Sequence, residues 1–264
     1  KLAPWLWLVY VNDLDPPCQL VKYADDLTMF ASFNKTHNNS EFYQHALDCI
    51  DKWATDNDMI INSKKSKVLH ISLTKPKYTN EFTLGGEVIE ICESSKLLGV
   101  ILDNTLNFTE HVDDICTRLA SKLYGMRVLK RLGMNRKGLK TYYIANIRPV
   151  LTYASPAWTS LISDHNMQKI IQIEKSAMKI INSDASYHDT LCEVNLSPLD
   201  VYITETGERY IRFIYDNEDH PLNPNIVRNN QRQTRVSSLT YMPRCRTSKL
   251  QNSFFHTYSD TISN

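Results

Sequence analysis

The spacing of apolar positions changes character near residue 103. Before it, apolar residues come in short runs separated by turn formers. Residues 20–33 hold two such runs around Ala24-Asp25-Asp26: Leu20, Val21 and Tyr23 before the acids, Leu27, Met29 and Phe30 after them. Two strands joined by a tight acidic turn fit this pattern, because Asp tolerates turn geometry and hydrogen-bonds its own backbone. Ser40 is placed to cap a helix reaching about Asp56, with Phe42, Ala46, Cys49, Ile50 and Trp53 as its apolar face. Residues 68–73 read as a strand, 82–91 as a hairpin closed at Gly85-Gly86, and 97–102 as a short buried strand around Gly99.

After Asp103 the period becomes helical. Thr109 is placed to cap a helix carrying Val112, Ile115, Cys116, Leu119, Ala120 and Leu123. Asn135 caps the next, with Leu139, Tyr142, Tyr143 and Ile147, which Pro149 stops. Asp164 caps a third, with Met167, Ile170, Ile171, Ala177, Met178 and Ile181. Ser197-Pro198 supplies start chemistry for a fourth, carrying Leu199, Tyr202, Ile203, Tyr210, Phe213 and Ile214. From His220 on, Pro, Asn and Arg are frequent and periodicity is weak, so the tail reads as loosely packed. The fold class is thus α+β: strands and a helix to about residue 103, then an all-helical part and an irregular basic tail.

Composition excludes several classes. With 264 residues, 42% hydrophobic and 22% charged, the chain is a globular one, and 7 Gly and 10 Pro exclude collagenous or low-complexity sequence. The apolar run at 2–11 is shorter than the roughly 20 residues that span a bilayer, so no membrane partner is expected. Six cysteines without a C-x-x-C pair read as reduced thiols of an intracellular protein. The 8 histidines are dispersed, none at metal-ligand spacing. Because the first residue is Lys1, the chain reads as a piece of something longer.

The net charge of +1 hides a polarity. Residues 1–63 carry nine acids and only four bases. Residues 115–163 carry no acid and nine bases: Arg118, Lys122, Arg127, Lys130, Arg131, Arg136, Lys137, Lys140 and Arg148. Residues 221–259 are also acid-free, with Arg228, Arg232, Arg235, Arg244, Arg246 and Lys249. Uncompensated cations attract phosphate backbone; a solvated helix face whose acids lie elsewhere in the fold explains the charge equally well.

Asp25 and Asp26 carry the most chemical information. Adjacent carboxylates oppose one another's ionisation unless a cation intervenes. Mg²⁺, or Mn²⁺ in its place, takes carboxylate oxygen together with substrate phosphate, and a pair of such ions clamps the attacking and leaving oxygens of a phosphoryl transfer. Taken alone, the four residues are explained at least as well by a plain Asp-rich turn.

Their surroundings add a resemblance. The run Val21-Lys22-Tyr23-Ala24-Asp25-Asp26-Leu27 resembles the metal-binding hairpin of reverse transcriptases from LINE-type (non-LTR) retrotransposons of the jockey group. In the order that family uses follow or precede Leu2-Ala3-Pro4 with Leu8 to Leu14, Trp53 with Asn62 and Lys64-Lys65-Ser66-Lys67, and Leu98-Gly99-Val100-Ile101-Leu102-Asp103 with Phe108 and His111. Pro149, Leu151, Tyr153, Trp158, Gln172 and a tail segment at 246–255 also resemble its motifs, so the likeness spans nearly the whole chain.

The resemblance implies an RNA-directed DNA polymerase fragment: a partial palm at 1–103, a helical thumb at 104–185, and a post-thumb helix with basic tail at 186–264. It implies that Asp25 is the principal Mg²⁺ ligand with Asp26 beside it, that Tyr23 lies by the primer end, and that Lys65 serves the pyrophosphate leaving group. Solubility at a strand entrance accounts for Lys65 equally well. Gly99 would support the primer grip, and Arg118, Lys122, Arg127, Lys130, Arg131, Arg136, Lys137 and Lys140 would track the duplex backbone, which fixes position without reading sequence. Partners would be an RNA template, a DNA primer, dNTPs, and the upstream endonuclease and fingers regions of a parent polyprotein, working in the nucleus after cytoplasmic translation. The family's further palm aspartate has no counterpart here, and Ala3 stands where it has glycine; inactivity of the chain alone is therefore expected, as is an apolar face left uncovered. The competing reading is a non-catalytic nucleic-acid-binding relic.

Overall fold

The computed structural model describes residues 2–30, 32, 40–72, 81–223, 227–228, 240–241 and 247–263. The cations Arg232, Arg235, Arg244 and Arg246, together with Cys245 and the expected strand ends Phe33 and Leu73, lie outside the described residues. The chain divides into two units, Lys1–Ser95 and Lys96–Asn264, so the division falls a few residues ahead of the change of period at 103, and no further division falls at 185.

In the first unit α1 (Ala3–Tyr10) precedes the antiparallel hairpin of β1 (Gln19–Tyr23) and β2 (Asp26–Phe30). The run at 2–11 winds into a helix because Pro4 occupies its first turn, where a missing N–H costs nothing. No α1 residue is buried; Trp5 is 69% and Val9 75% exposed. The apolar side chains of α1 thus face solvent, whereas the expected uncovered apolar face was one of the sheet. Helix α2 (Ser40–Asp56) buries Tyr43, Ala46, Ile50 and Ala54, a stripe rotated from the expected one: Phe42 is exposed. Tyr43 instead packs with Phe82, Leu84 and Ile89, and with Met29 and Val68 at the edge of that cluster. These residues come from β2, from β3 (Lys67–Leu69), from the hairpin of β4 (Thr83–Leu84) and β5 (Glu87–Val88), and from the residue before β6 (Glu90–Cys92). β3 pairs with β6 in parallel, and Gly85 and Gly86 close the β4–β5 turn with φ of +58° and +78°. Among the described residues the strands pair only two by two.

The apolar run at 97–102 is not one strand. Leu98 (φ +46°) and Gly99 (φ +88°) turn the chain between β7 (Ser94–Leu97) and β8 (Val100–Asp103). Two successive left-handed residues match the twist of a tight hairpin. The Tyr153 hydroxyl donates to the Leu98 carbonyl at 2.7 Å, and its ring lies 3.3 Å from where a Gly99 Cβ would stand. Gly99 is thus explained by turn geometry and by Tyr153 packing.

The second unit is built on α3 (Thr109–Arg131) packed along α7 (Asp164–Ile181), with α4 (Arg136–Asn146) against both. Val112, Ile115, Leu119, Leu123 and Met126 form the buried stripe of α3, each contributing roughly 1.5–3 kcal/mol over exposure, while Ala120 faces solvent. Thr109 is the first residue of this helix and does not cap it; Phe108 stands at the cap position without a side-chain cap, and Asp103 holds the loop that leads into it. Its carboxylate accepts from Thr105 Oγ1 and from the backbone N–H groups of Thr105, Asn107 and Phe108. Burial pushes the Asp103 carboxyl up, but those hydrogen bonds more than reverse this and leave it below its usual value.

Asn135 caps α4 as expected, its side chain accepting from Gly138 N–H at 2.9 Å. Pro149 both stops α4 and starts the short α5 (Arg148–Thr152), which leads into α6 (Ser155–Trp158). The cap of α7 is Ser163, one residue before the expected Asp164. After α8 (Tyr187–Glu193), α9 (Leu199–Asp216) has Pro198 rather than Ser197 at its cap position and so no side-chain cap of its own; the Ser197 carbonyl accepts from Arg148. The described residues of the tail include regular elements, with 224–226, 229–239 and 242–246 outside the described residues. Beyond the two-residue strands β9 (Val227–Arg228) and β10 (Thr240–Tyr241), α10 (Ser248–Gln251) leads to α11 (Phe254–Ser263), whose Tyr258 packs against Gly207 of α9 beside Ile211 and Ile214. Lys249 Nζ donates to the Leu106 carbonyl at 2.7 Å.

His111 is buried edge-on against Trp158, with ring centroids 5.0 Å apart, and its Nδ1 accepts from Ile101 N–H. Burial, and then the Arg118 charge, hold the imidazole below its ordinary value. The folded state therefore binds that proton less readily than the unfolded chain, and stability present above pH about 6.5 is lost as pH falls below it. Asp103 adds a second loss at lower pH, as its depressed carboxyl is protonated. Urea midpoints measured from pH 7.5 to 5.5 are expected to fall, and His111→Leu should flatten that fall; an unchanged slope in the variant would contradict the assignment.

Candidate metal and nucleic-acid site

The β1–β2 register pairs Tyr23 with Asp26 and Leu20 with Met29. Since successive side chains alternate in direction, Tyr23, Asp26, Val21 and Thr28 share the face opposite Leu20 and Met29. The turn is Ala24-Asp25, and Ala24 adopts φ +51°. Asp25 sits in the turn and Asp26 opens β2. Both are exposed, Tyr23 is 62% exposed, and neither carboxylate has a hydrogen bond or ion pair among the described residues.

The tip is held from behind. Trp7 Nε1 donates to the Ala24 carbonyl at 2.5 Å, and Lys22 Nζ donates to the Val11 carbonyl at 2.8 Å, fixing the exit of α1 to β1. Trp53 Nε1 donates to Asp13 at 3.0 Å, which gives Asp13 a structural task. Sequence pattern does not reveal Trp7, since its partner lies 17 positions away and its neighbours are uniformly apolar.

Two free carboxylates on a fixed tip suit a divalent cation in donor type and charge. No group of three His, Cys, Asp or Glu able to hold a metal occurs among the described residues; the tip itself offers the Asp25 and Asp26 carboxylates. Lys65 ends a 3₁₀ turn, Ser63–Lys65, whose cap is Asn62, and its side chain is exposed. No interaction among the described residues links Lys65 to Asp25 or Asp26.

The cations of the second unit divide into two groups. Arg118 pairs with Asp114 at 3.0 Å, and Arg136 with Glu193 at 2.8 Å and Asn182 at 3.2 Å. Arg148 is buried, donates to the Ser197 carbonyl and lies 4.5 Å over the Tyr202 ring. Of these three only Arg136 meets an acid from elsewhere in the fold; Arg118 pairs four residues back on its own helix, and Arg148 meets a carbonyl and a ring, so Arg136 and Arg148 act as braces. Lys122, Arg127, Lys130, Arg131, Lys137 and Lys140 have no ion pair among the described residues. Tyr124, Arg127 and Arg131 are exposed and fall along one flank of α3 beside its buried stripe.

The hairpin tip carries two exposed acids, and comparison with known proteins shows that the chain is similar in sequence to RNA-directed DNA polymerases of non-LTR mobile elements. It is 26% identical over 193 residues to a protein described as an RNA-directed DNA polymerase from transposon X-element of Drosophila melanogaster, covering 68% of this chain and 21% of that one. It is 23% identical over 227 residues to the RNA-directed DNA polymerase from mobile element jockey of Drosophila funebris, covering 79% and 24%. A 115 kDa protein of a type-1 retrotransposable element of Drosophila melanogaster is 23% identical over 163 residues, covering 59% and 16%. The chain thus spans about a quarter or less of the length of these relatives. No family model and no solved structure matches it. Among the described residues no helix is long and apolar enough to cross a membrane.

Proposed function

We propose that the chain is the palm-hairpin and thumb part of an RNA-directed DNA polymerase of a non-LTR retrotransposon. The observation that carries this reading is the pair of exposed, unpartnered carboxylates on a fixed hairpin tip, in a sequence related to named polymerases. Residues 1–103 serve as a partial palm, 104–185 as the thumb and 186–264 as the post-thumb segment. Asp25 and Asp26 hold Mg²⁺, which when bound offsets the charge that develops on the transferred phosphoryl group. Tyr23, on the same face as Asp26, lies along the primer end, and Lys65 neutralises the departing pyrophosphate. The six unpaired cations position an RNA template and DNA primer. The upstream endonuclease and fingers regions of a parent polyprotein, acting in the nucleus, complete the machinery.

Two carboxylates without a third ligand hold Mg²⁺ weakly. The chain alone is therefore expected to bind primed RNA without extending it. A primer-extension assay with dNTPs and Mg²⁺ tests this. Extension abolished by Asp25→Asn would overturn the inactivity and keep the site; extension that survives Asp25→Asn would overturn the site.

A further inference from the structure

The junction of α3 and α4 carries a side chain that the bundle does not use. Leu132 is 78% exposed, whereas Leu129 one turn earlier packs at the edge of the core. The backbone there closes tightly: Gly133 N–H donates to the Lys130 carbonyl at 3.0 Å and Met134 N–H to the Leu129 carbonyl at 3.1 Å, with Gly133 at φ +89°. This is the paired closure of a Schellman turn, with Gly133 as its left-handed residue, Leu132 at the cap position, and Leu129 and Met134 at the two positions whose backbone bond closes the turn. Met134 is further tied down against Gly138 of α4. Leu132 therefore projects from a rigid corner and not from a loose loop.

What surrounds it is cationic. Arg127, Lys130 and Arg131 precede it, Lys137 follows, none has an ion pair among the described residues, and no acid occurs between Ile115 and Ser163. Charge complementarity selects a polyanion as occupant. A lipid surface would need a broader apolar footing than one leucine and a partly covered methionine. A nucleic-acid duplex needs no more than a single apolar side chain between flanking phosphate contacts, because such a side chain can enter the minor groove and partly unstack one base step.

We propose that Leu132 is a wedge: the α3–α4 corner straddles a duplex, its cations on the two phosphate strands, with the Leu132 side chain pressed against a base step from the minor-groove side. This deepens the polymerase reading and rests on it for the identity of the duplex. A wedge at this corner would fix where along the duplex the thumb stops, without reading sequence.

The test uses the full chain and an RNA–DNA hybrid carrying 2-aminopurine at successive steps. Binding is expected to raise fluorescence at one step. Leu132→Ala should abolish that rise and weaken binding about fivefold to tenfold, which converts to roughly 1–1.4 kcal/mol, while leaving the dependence of affinity on salt unchanged. Leu132→Phe should restore the rise. Because Leu132 is exposed, its thermal midpoint serves as a control and should not move. Wild-type binding with an ordinary salt slope but no fluorescence change, or a Leu132→Ala variant equal to wild type, would overturn the wedge and leave the polymerase reading standing. Failure of the wild type to bind the hybrid would overturn both. Tighter binding to phosphatidylserine vesicles than to the hybrid would overturn the choice of partner.

Discussion

Binding of an RNA–DNA duplex should weaken about a thousandfold between roughly 50 and 200 mM salt. The magnitude follows from the cations that the fold leaves free. Each phosphate neutralised by Lys or Arg contributes about −0.9 to the slope of log affinity against log salt, so Lys122, Arg127, Lys130, Arg131, Lys137 and Lys140 together give about −5. Arg127→Gln, Arg131→Gln and Lys137→Gln combined should bring that slope to about −3. Arg118→Gln should leave it unchanged, because Asp114 at 3.0 Å already compensates that guanidinium. Equal effects at Arg118 and Arg131 would show that charge along the sequence, and not the pairing in the fold, decides the contacts.

Replacing Glu174 with Ala should cost about 4 kcal/mol of stability in the second unit. Glu174 is fully buried, yet its carboxylate has no ion pair among the described residues. It accepts instead from the Tyr143 hydroxyl at 2.6 Å, the Tyr187 hydroxyl at 2.5 Å and the Leu199 N–H at 2.9 Å. Burial first, and then Glu174, push both tyrosine hydroxyls far above their ordinary value, so they remain donors throughout the accessible pH range. The third donor is the first N–H of α9, which makes Glu174 the cap that α9 lacks in its own sequence. Alanine strands all three donors in an apolar core. Glu174→Gln keeps one acceptor and should cost about half as much, and Tyr143→Phe, which removes a donor cleanly, about 1–2 kcal/mol. Urea unfolding of the three variants checks the order; a Glu174→Ala loss below that of Tyr143→Phe would contradict it.

The difference between these two parts of the molecule explains how far sequence could be read. The β1–β2 hairpin was legible because its signals are local: alternation on both sides of a short acidic turn. Asn135 as the cap of α4 and Gly85-Gly86 as a hairpin turn were legible for the same reason. Glu174 was not, because a charged residue on a helix reads as surface until partners 13, 25 and 31 positions away are brought to it. Thr109 does not cap α3, because Asp103 organises the 104–108 loop and shifts the helix start to Thr109 itself. The β7–β8 turn hid inside an unbroken apolar run, and only Gly99 marked it. Helix α11 was obscured by the polar, proline-rich stretch before it, although Phe254, Tyr258 and their spacing carry a helical signal. At the hairpin tip the residues were legible and their support was not: Trp7 and Lys22 reach it through contacts that no local pattern encodes.

The central claim, that the hairpin carboxylates hold a divalent cation, is tested most directly by paramagnetic broadening with Mn²⁺ on the isotopically labelled chain. The account predicts loss of backbone amide signals confined to Tyr23, Ala24, Asp25, Asp26 and Leu27 at low millimolar Mn²⁺, reversed by excess Mg²⁺ and absent in the Asp25→Asn, Asp26→Asn double variant. Broadening centred elsewhere, or undiminished in that variant, would contradict it.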